Sequence, residues 1–161
     1  MRVMDTPRQV RAWYGLPGEI VIEGDCWHWV KAGPIPLPHP PVVNFFVRQG
    51  LPREARLQFG YWHEFGHLQT LPLALAHVAW LWRRRSRGQS RGLWSRLARL
   101  AAFLVVHEAA WELASEGYVV ARGGREYRRL YREHRSWVPA LFWGGVAAIV
   151  LLGTIFLTRG E

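Results

Sequence analysis

The sequence has little that could cross-link it. Cys26 is its single cysteine among 161 residues, so neither a disulfide framework nor a zinc site built from cysteines is available. Aspartate occurs only at Asp5 and Asp25, and Lys31 is the single lysine, so every other one of the 21 cationic residues is arginine. The first fifteen residues, MRVMDTPRQVRAWYG, hold no apolar core, and no cleavable secretory signal is expected there. Aromatics are not lacking. Ten tryptophans and a 50% hydrophobic content exclude a disordered chain. The length suits one domain.

The net charge of +9 is unevenly placed. Residues 1–82 carry seven cations and six acids, whereas 83–135 carry thirteen arginines and five glutamates. From Ser136 to Thr158 there is no charge at all over 23 residues. That run is long enough to cross a bilayer, and a domain this small could not bury a uniformly apolar helix on every side. Positive charge favours the cytoplasmic side, so the basic flank 122–135 predicts a single C-terminal anchor with the N-terminal bulk inside and the tail Arg159–Glu161 outside. The apolar runs 71–82 and 100–106 are each too short to span alone. Extended back to Tyr61, the first would reach spanning length, but it would carry His63, Glu64 and His67 into lipid. Both arginine-rich stretches, 83–99 and 122–135, are expected on one side, as in a hairpin dipping into one leaflet or a domain lying on the surface. The run RRRSRGQSRGLWSRLAR has the composition of a nucleic-acid arm. Its place between apolar segments is where juxtamembrane charge belongs, so membrane lipid is the expected partner rather than nucleic acid.

The pattern predicts a mainly α fold with a small N-terminal β element and one C-terminal transmembrane helix. Residues 1–50 form a Pro-rich extended part, 51–135 a helical core and 136–158 the span. Eight of the ten prolines lie within 1–52. GEIVIEGDCWHWVKAG (18–33) reads as a hairpin turning at Gly24-Asp25, followed by a stiff connection over 33–41. A helix opens at Pro52 and runs to Thr70, where Pro72 is expected to end or kink it and Thr70 to cap the next. A second long helix, with Ser90 as cap, carries an apolar stripe of Leu93, Leu97, Leu100, Leu104, Trp111 and Tyr118 and stops at Gly123-Gly124.

The sharpest chemical feature is His63-Glu64-Phe65-Gly66-His67. On a helix, His63 and His67 lie one turn apart on one face and can share a Zn²⁺, while Glu64 beside them can take a proton from a water at the metal. A third protein ligand is needed. The second long helix offers His107, Glu108, Glu112 and Glu116, its carboxylates stacked at i, i+4 and i+8, where they would repel each other unless a cation faced them.

HEFGH followed by ELASEGY (112–118) resembles the gluzincin metallopeptidases, in particular the HtpX-like membrane-bound branch. The resemblance covers mainly 60–70 and 108–121. It implies a zinc held by His63, His67 and Glu112, with Glu64 as the catalytic base. It also implies Ser115 as the small residue and Glu116 orienting a ligand histidine, with Glu standing where Asp is usual. The HExxH and Glu helices should then pack together, the hairpin 18–33 offering an edge to a peptide or protein substrate. Glu108 and His107 are alternative ligands, the frame from Glu108 placing bulky Trp111 at the small position. Tyr118, Tyr127, Tyr131 and His134 are candidates for steadying the oxyanion. HEFGH also resembles the site-2 intramembrane proteases, but neither Asp5 nor Asp25 lies in an apolar run as their second motif requires. A rival of another class is a non-enzymatic basic membrane protein that binds anionic lipid or a partner. Oligomeric state is not legible in the sequence.

Overall fold

The structure, a computed structural model, describes residues 8–23, 27–33, 35–36, 51–85, 92–134 and 138–158. Its N-terminal part is an antiparallel meander of β1 (Arg8–Arg11), β2 (Pro17–Glu23), β3 (Trp27–Ala32) and the two-residue β4 (Ile35–Pro36). The expected hairpin is β2–β3, paired from Gly18↔Ala32 to Glu23↔Trp27. Its turn, Cys26 and most of the proline-rich connection lie outside the described residues. β2 is not an edge, because β1 pairs with its other side. The outer edge that the sequence assigns to the hairpin therefore belongs, on that side, to β1.

Four helices follow: α1 (Arg53–Arg85), α2 (Leu93–Arg122), α3 (Gly124–Glu133) and α4 (Val138–Thr158). The sheet lies on α1, where Ala12, Ile20, Val30 and Ala32 close over Leu57 and Leu68. Helix α1 does not end at Pro72, which stands inside a continuous 33-residue helix. Proline at this position removes the amide that would bond the Leu68 carbonyl one turn earlier. The sheet replaces it, since the Tyr14 hydroxyl donates to Leu68 O at 2.7 Å. The neighbouring Gln69 carbonyl accepts the Trp13 indole at 3.1 Å, and the Gln69 side chain takes the Trp13 amide at 2.9 Å. Thr70 caps no new helix; its hydroxyl donates back to Gly66 O at 2.9 Å. Burial pushes the Tyr14 hydroxyl above its ordinary pKa, so it stays a donor throughout the neutral range.

Helix α2 spans the residues expected of it and stops at Gly123, with Gly124 at φ +73° turning the chain into α3. Ser90 lies outside the described residues, and Gly92 occupies the cap position. The apolar stripe does not meet one neighbour along its length, since Trp111 is buried and its leucines are not. Leu93, Leu97, Leu100 and Leu104 are exposed, and the buried side of α2 is Arg99, Phe103, Val106, Trp111, Glu112, Ser115, Glu116 and Val119. Periodicity marks a face but does not say which neighbour it meets.

Two clusters fix the helix order. At one end Ala55 and Phe59 of α1 meet Val119 of α2 and Tyr127 and Leu130 of α3. At the other, Leu81, Phe103, Val106 and Leu157 join α1, α2 and α4. Helix α4 starts near the first end, with the Trp143 ring 6.5 Å from that of His63, and finishes at the second. Gly153 lets it close on the Val106 side chain, which a Cβ there would overlap. The two arginine-rich stretches therefore lie at opposite ends of the bundle, not on one side: Arg83 and Arg84 at the end where α4 finishes, Arg122 and α3 at the end where it starts. Within α4, residues Ala140–Thr158 are long and apolar enough to cross a membrane and are hardly covered by the rest of the chain.

Candidate metal centre

One close helix contact brings the two halves of the centre together. Gly66 of α1 faces Ser115 of α2, and a Cβ at Gly66 would lie 2.6 Å from the Ser115 carbonyl oxygen and overlap its hydroxyl. That hydroxyl donates to His63 O at 2.7 Å, so the contact ties the ligand-bearing turn itself to α2. Small residues at the crossing let the backbones approach closely enough for short side chains to meet.

His63, His67 and Glu112 then converge with all three side chains buried. The two Nε2 atoms are 3.0 Å apart. Glu112 Oε2 is 2.9 Å from His63 Nε2, and Oε1 is 3.4 Å from His67 Nε2. Ligands about 2.0–2.1 Å from a tetrahedral zinc stand roughly 3.3 Å from one another. Two imidazole Nε2 lone pairs at 3.0 Å need a shared proton or a shared cation between them, and the carboxylate supplies the balancing charge. The residues present fit a metal ion, and two histidines with one glutamate leave a coordination position open.

The surroundings hold this set in place. Glu116 Oε2 lies 3.4 Å from His63 Nδ1, and its other oxygen accepts the Tyr127 hydroxyl at 2.7 Å. The Trp111 ring stands edge-on to His67, with centroids 4.8 Å apart. Glu64 is 1% exposed, in the same turn as His63. Phenylalanine at Tyr127 frees Glu116 of its fixed donor. We expect Tyr127→Phe to weaken metal binding about 10–100-fold, the usual effect of losing such a supporting bond. Competition against a chelator of known affinity measures it.

The other candidate residues fall elsewhere. His107 and Glu108 are not part of the converging group; His107 stacks on Trp111 at 6.1 Å and faces His77 at 6.0 Å. Tyr127 is committed to Glu116, Tyr118 and Tyr131 pack around the Phe59 cluster, and His134 ends α3. Motif reading missed three contributors. Gly66 is visible in HEFGH but carries no sign of its partner, Trp111 reads as apolar stripe, and the Tyr14 hook is 54 residues from its acceptor. A cavity of 270 Å³ meets the surroundings of the centre only at Trp111 and is lined by Leu73, Ala74 and His77 of α1, Ala110, Trp111 and Ala114 of α2, and Val150 of α4. Comparison with known protein families, characterised proteins and solved structures found no match.

Proposed function

We propose that the protein is a zinc-dependent peptidase of gluzincin type attached to a membrane by α4. The observation that carries this reading is the convergence of His63, His67 and Glu112 in one buried set, with Glu64 in the same helical turn. When bound, the ion supplies a Lewis acid that acidifies water and polarises a peptide carbonyl. The chain's own groups do the rest. Glu64 accepts the proton of the attacking water and returns it to the leaving amine. Glu116 fixes the orientation of the His63 imidazole and is itself held by Tyr127. The cavity lined by Trp111, the residue that packs edge-on to His67, receives an apolar substrate side chain. In this reading the sheet and the centre take the cytoplasmic side, which positive charge such as that of the flank 122–135 favours.

The test is metal content. Detergent-purified wild type should carry one zinc per chain, and His63→Ala and Glu112→Ala should each lose it, as read by elemental analysis. A wild-type protein that stays metal-free after zinc reconstitution refutes the reading. Zinc retained by Glu112→Ala but lost by His63→Ala moves the third ligand to another residue. The non-enzymatic rival predicts instead that histidine substitutions are silent and that arginine substitutions, or raised salt, abolish lipid binding.

A further inference from the structure

Three helices, not one, turn an uncharged surface outward. From Pro72 to Trp82 the exposed residues of α1 are proline, leucine, alanine and tryptophan only. From Leu97 to Ala121 the exposed residues of α2 are leucine, alanine, valine and glycine. The charged residues of that stretch are turned inward, with Arg99, Glu112 and Glu116 buried and Glu108 partly so. In a water-soluble bundle the pattern runs the other way, polar outside and apolar within. Charges facing the bundle interior behind an apolar exterior are the arrangement lipid imposes.

The dimensions agree. Helix α1 runs beside α4 from His63, near Trp143, to Leu81, packed on Leu157. Eighteen residues of helix rise about 27 Å, close to the roughly 30 Å of a hydrocarbon core. Of that length the sheet shields α1 as far as Leu71, leaving about 15 Å from Pro72 to Trp82 turned outward. Both ends of the apolar belt are marked by cations. Exposed Arg83 and Arg84 follow Trp82 at one end, and exposed Arg122, Arg125 and Arg128 stand at the other. Exposed Trp80, Trp82 and Trp94 ring the first end, where interfacial aromatics belong. The sheet covers α1 as far as Leu71, so the outward apolar surface of α1 begins where the sheet stops. The belt continues across α1, α2 and α4, whereas a protein partner would meet one face.

We propose that α1 and α2 cross the bilayer together with α4, so that the chain traverses the membrane three times and the His63–His67–Glu112 set lies at the lipid boundary on the sheet side. This holds whatever reaction the centre runs. It also explains why the runs in α1 and α2 look too short to span. His63, Glu64, His67, Gln69 and Thr70 break the hydropathy of the sequence, but all five are buried, and lipid meets none of them.

Spin labels at Ala79, Ala101 and Ala148, introduced singly by Ala→Cys in a Cys26→Ser background, test it in full-length protein reconstituted in phosphatidylcholine–phosphatidylglycerol vesicles. All three sites are exposed helical positions. Collision with oxygen should exceed collision with a water-soluble nickel complex at all three alike. Nickel access at Ala79→Cys and Ala101→Cys, with oxygen access only at Ala148→Cys, would leave a single anchor and overturn the proposal. Low access to both agents at the first two would mean a protein surface covers them, and would overturn it equally. A membrane-impermeant maleimide gives a second reading. Three crossings require Ser95→Cys and Glu133→Cys to react from opposite faces of the membrane, and reaction from the same face refutes them.

Discussion

Glu64→Gln is expected to bind as much zinc as the wild type and to hydrolyse peptide at least about 10²-fold more slowly. The substitution keeps the volume and shape of a side chain that is 1% exposed, so the packing of α1 is preserved. The three converging ligands are untouched, so metal stoichiometry is preserved as well. What is lost is the ability to hold a proton between attack and departure of the amine. Elemental analysis and peptide turnover on the same preparation separate the two effects. Full turnover in the variant, free of contaminating protease, would remove Glu64 from the reaction. Loss of both zinc and turnover would place it in the metal site instead.

Gly66→Ala is expected to do comparable damage by a different route. The added methyl meets the Ser115 hydroxyl and stands 2.6 Å from its backbone carbonyl, and a carbonyl cannot swing aside as a flexible side chain would. The helices must separate, which costs about 1–3 kcal/mol as overpacking. The larger consequence is chemical, because His63 and His67 on α1 and Glu112 on α2 face each other across that contact. Displacing the carboxylate by even half an ångström takes it out of ligand range. Chelator competition should therefore show zinc affinity falling by more than tenfold. Gly117→Ala is the control, since a Cβ there meets nothing within 4 Å. It should keep full affinity and gain about 1 kcal/mol from the better helix former. Equal affinities in the two variants would refute the argument from the close contact.

How much of this was legible in the sequence follows from what a linear pattern can carry. The HEFGH turn was legible because two histidines one helical turn apart stand at a fixed spacing, whereas Glu112 was offered only by the resemblance of its segment, beside Glu108 and His107, and is the one that meets both histidines. The end of helix α2 was readable because Gly123-Gly124 stops it, while its cap position is held by Gly92 and not by the expected Ser90. That the helix continues through Pro72 was not legible, since the carbonyl the proline leaves open is met by Tyr14, and no local rule sees across 54 residues. The outward turn of the leucines was not legible, for a different reason. Hydropathy counts every residue of a segment, while the surroundings meet only those left uncovered. In α2 the uncovered ones are the leucines, and the covered ones are the acids.

The indole of Trp111 stands 4.8 Å from the His67 ring, and that of Trp143 stands 6.5 Å from the His63 ring. The protein thus carries two fluorophores of its own close to the candidate ligands. A paramagnetic ion such as Co²⁺ or Cu²⁺ entering there would quench their emission at contact distance and leave distant indoles bright. Occupancy becomes an optical titration. Trp111→Phe and Trp143→Phe, made singly, would divide the signal between the α2 side of the centre and the α4 side, and so report which wall an ion touches first.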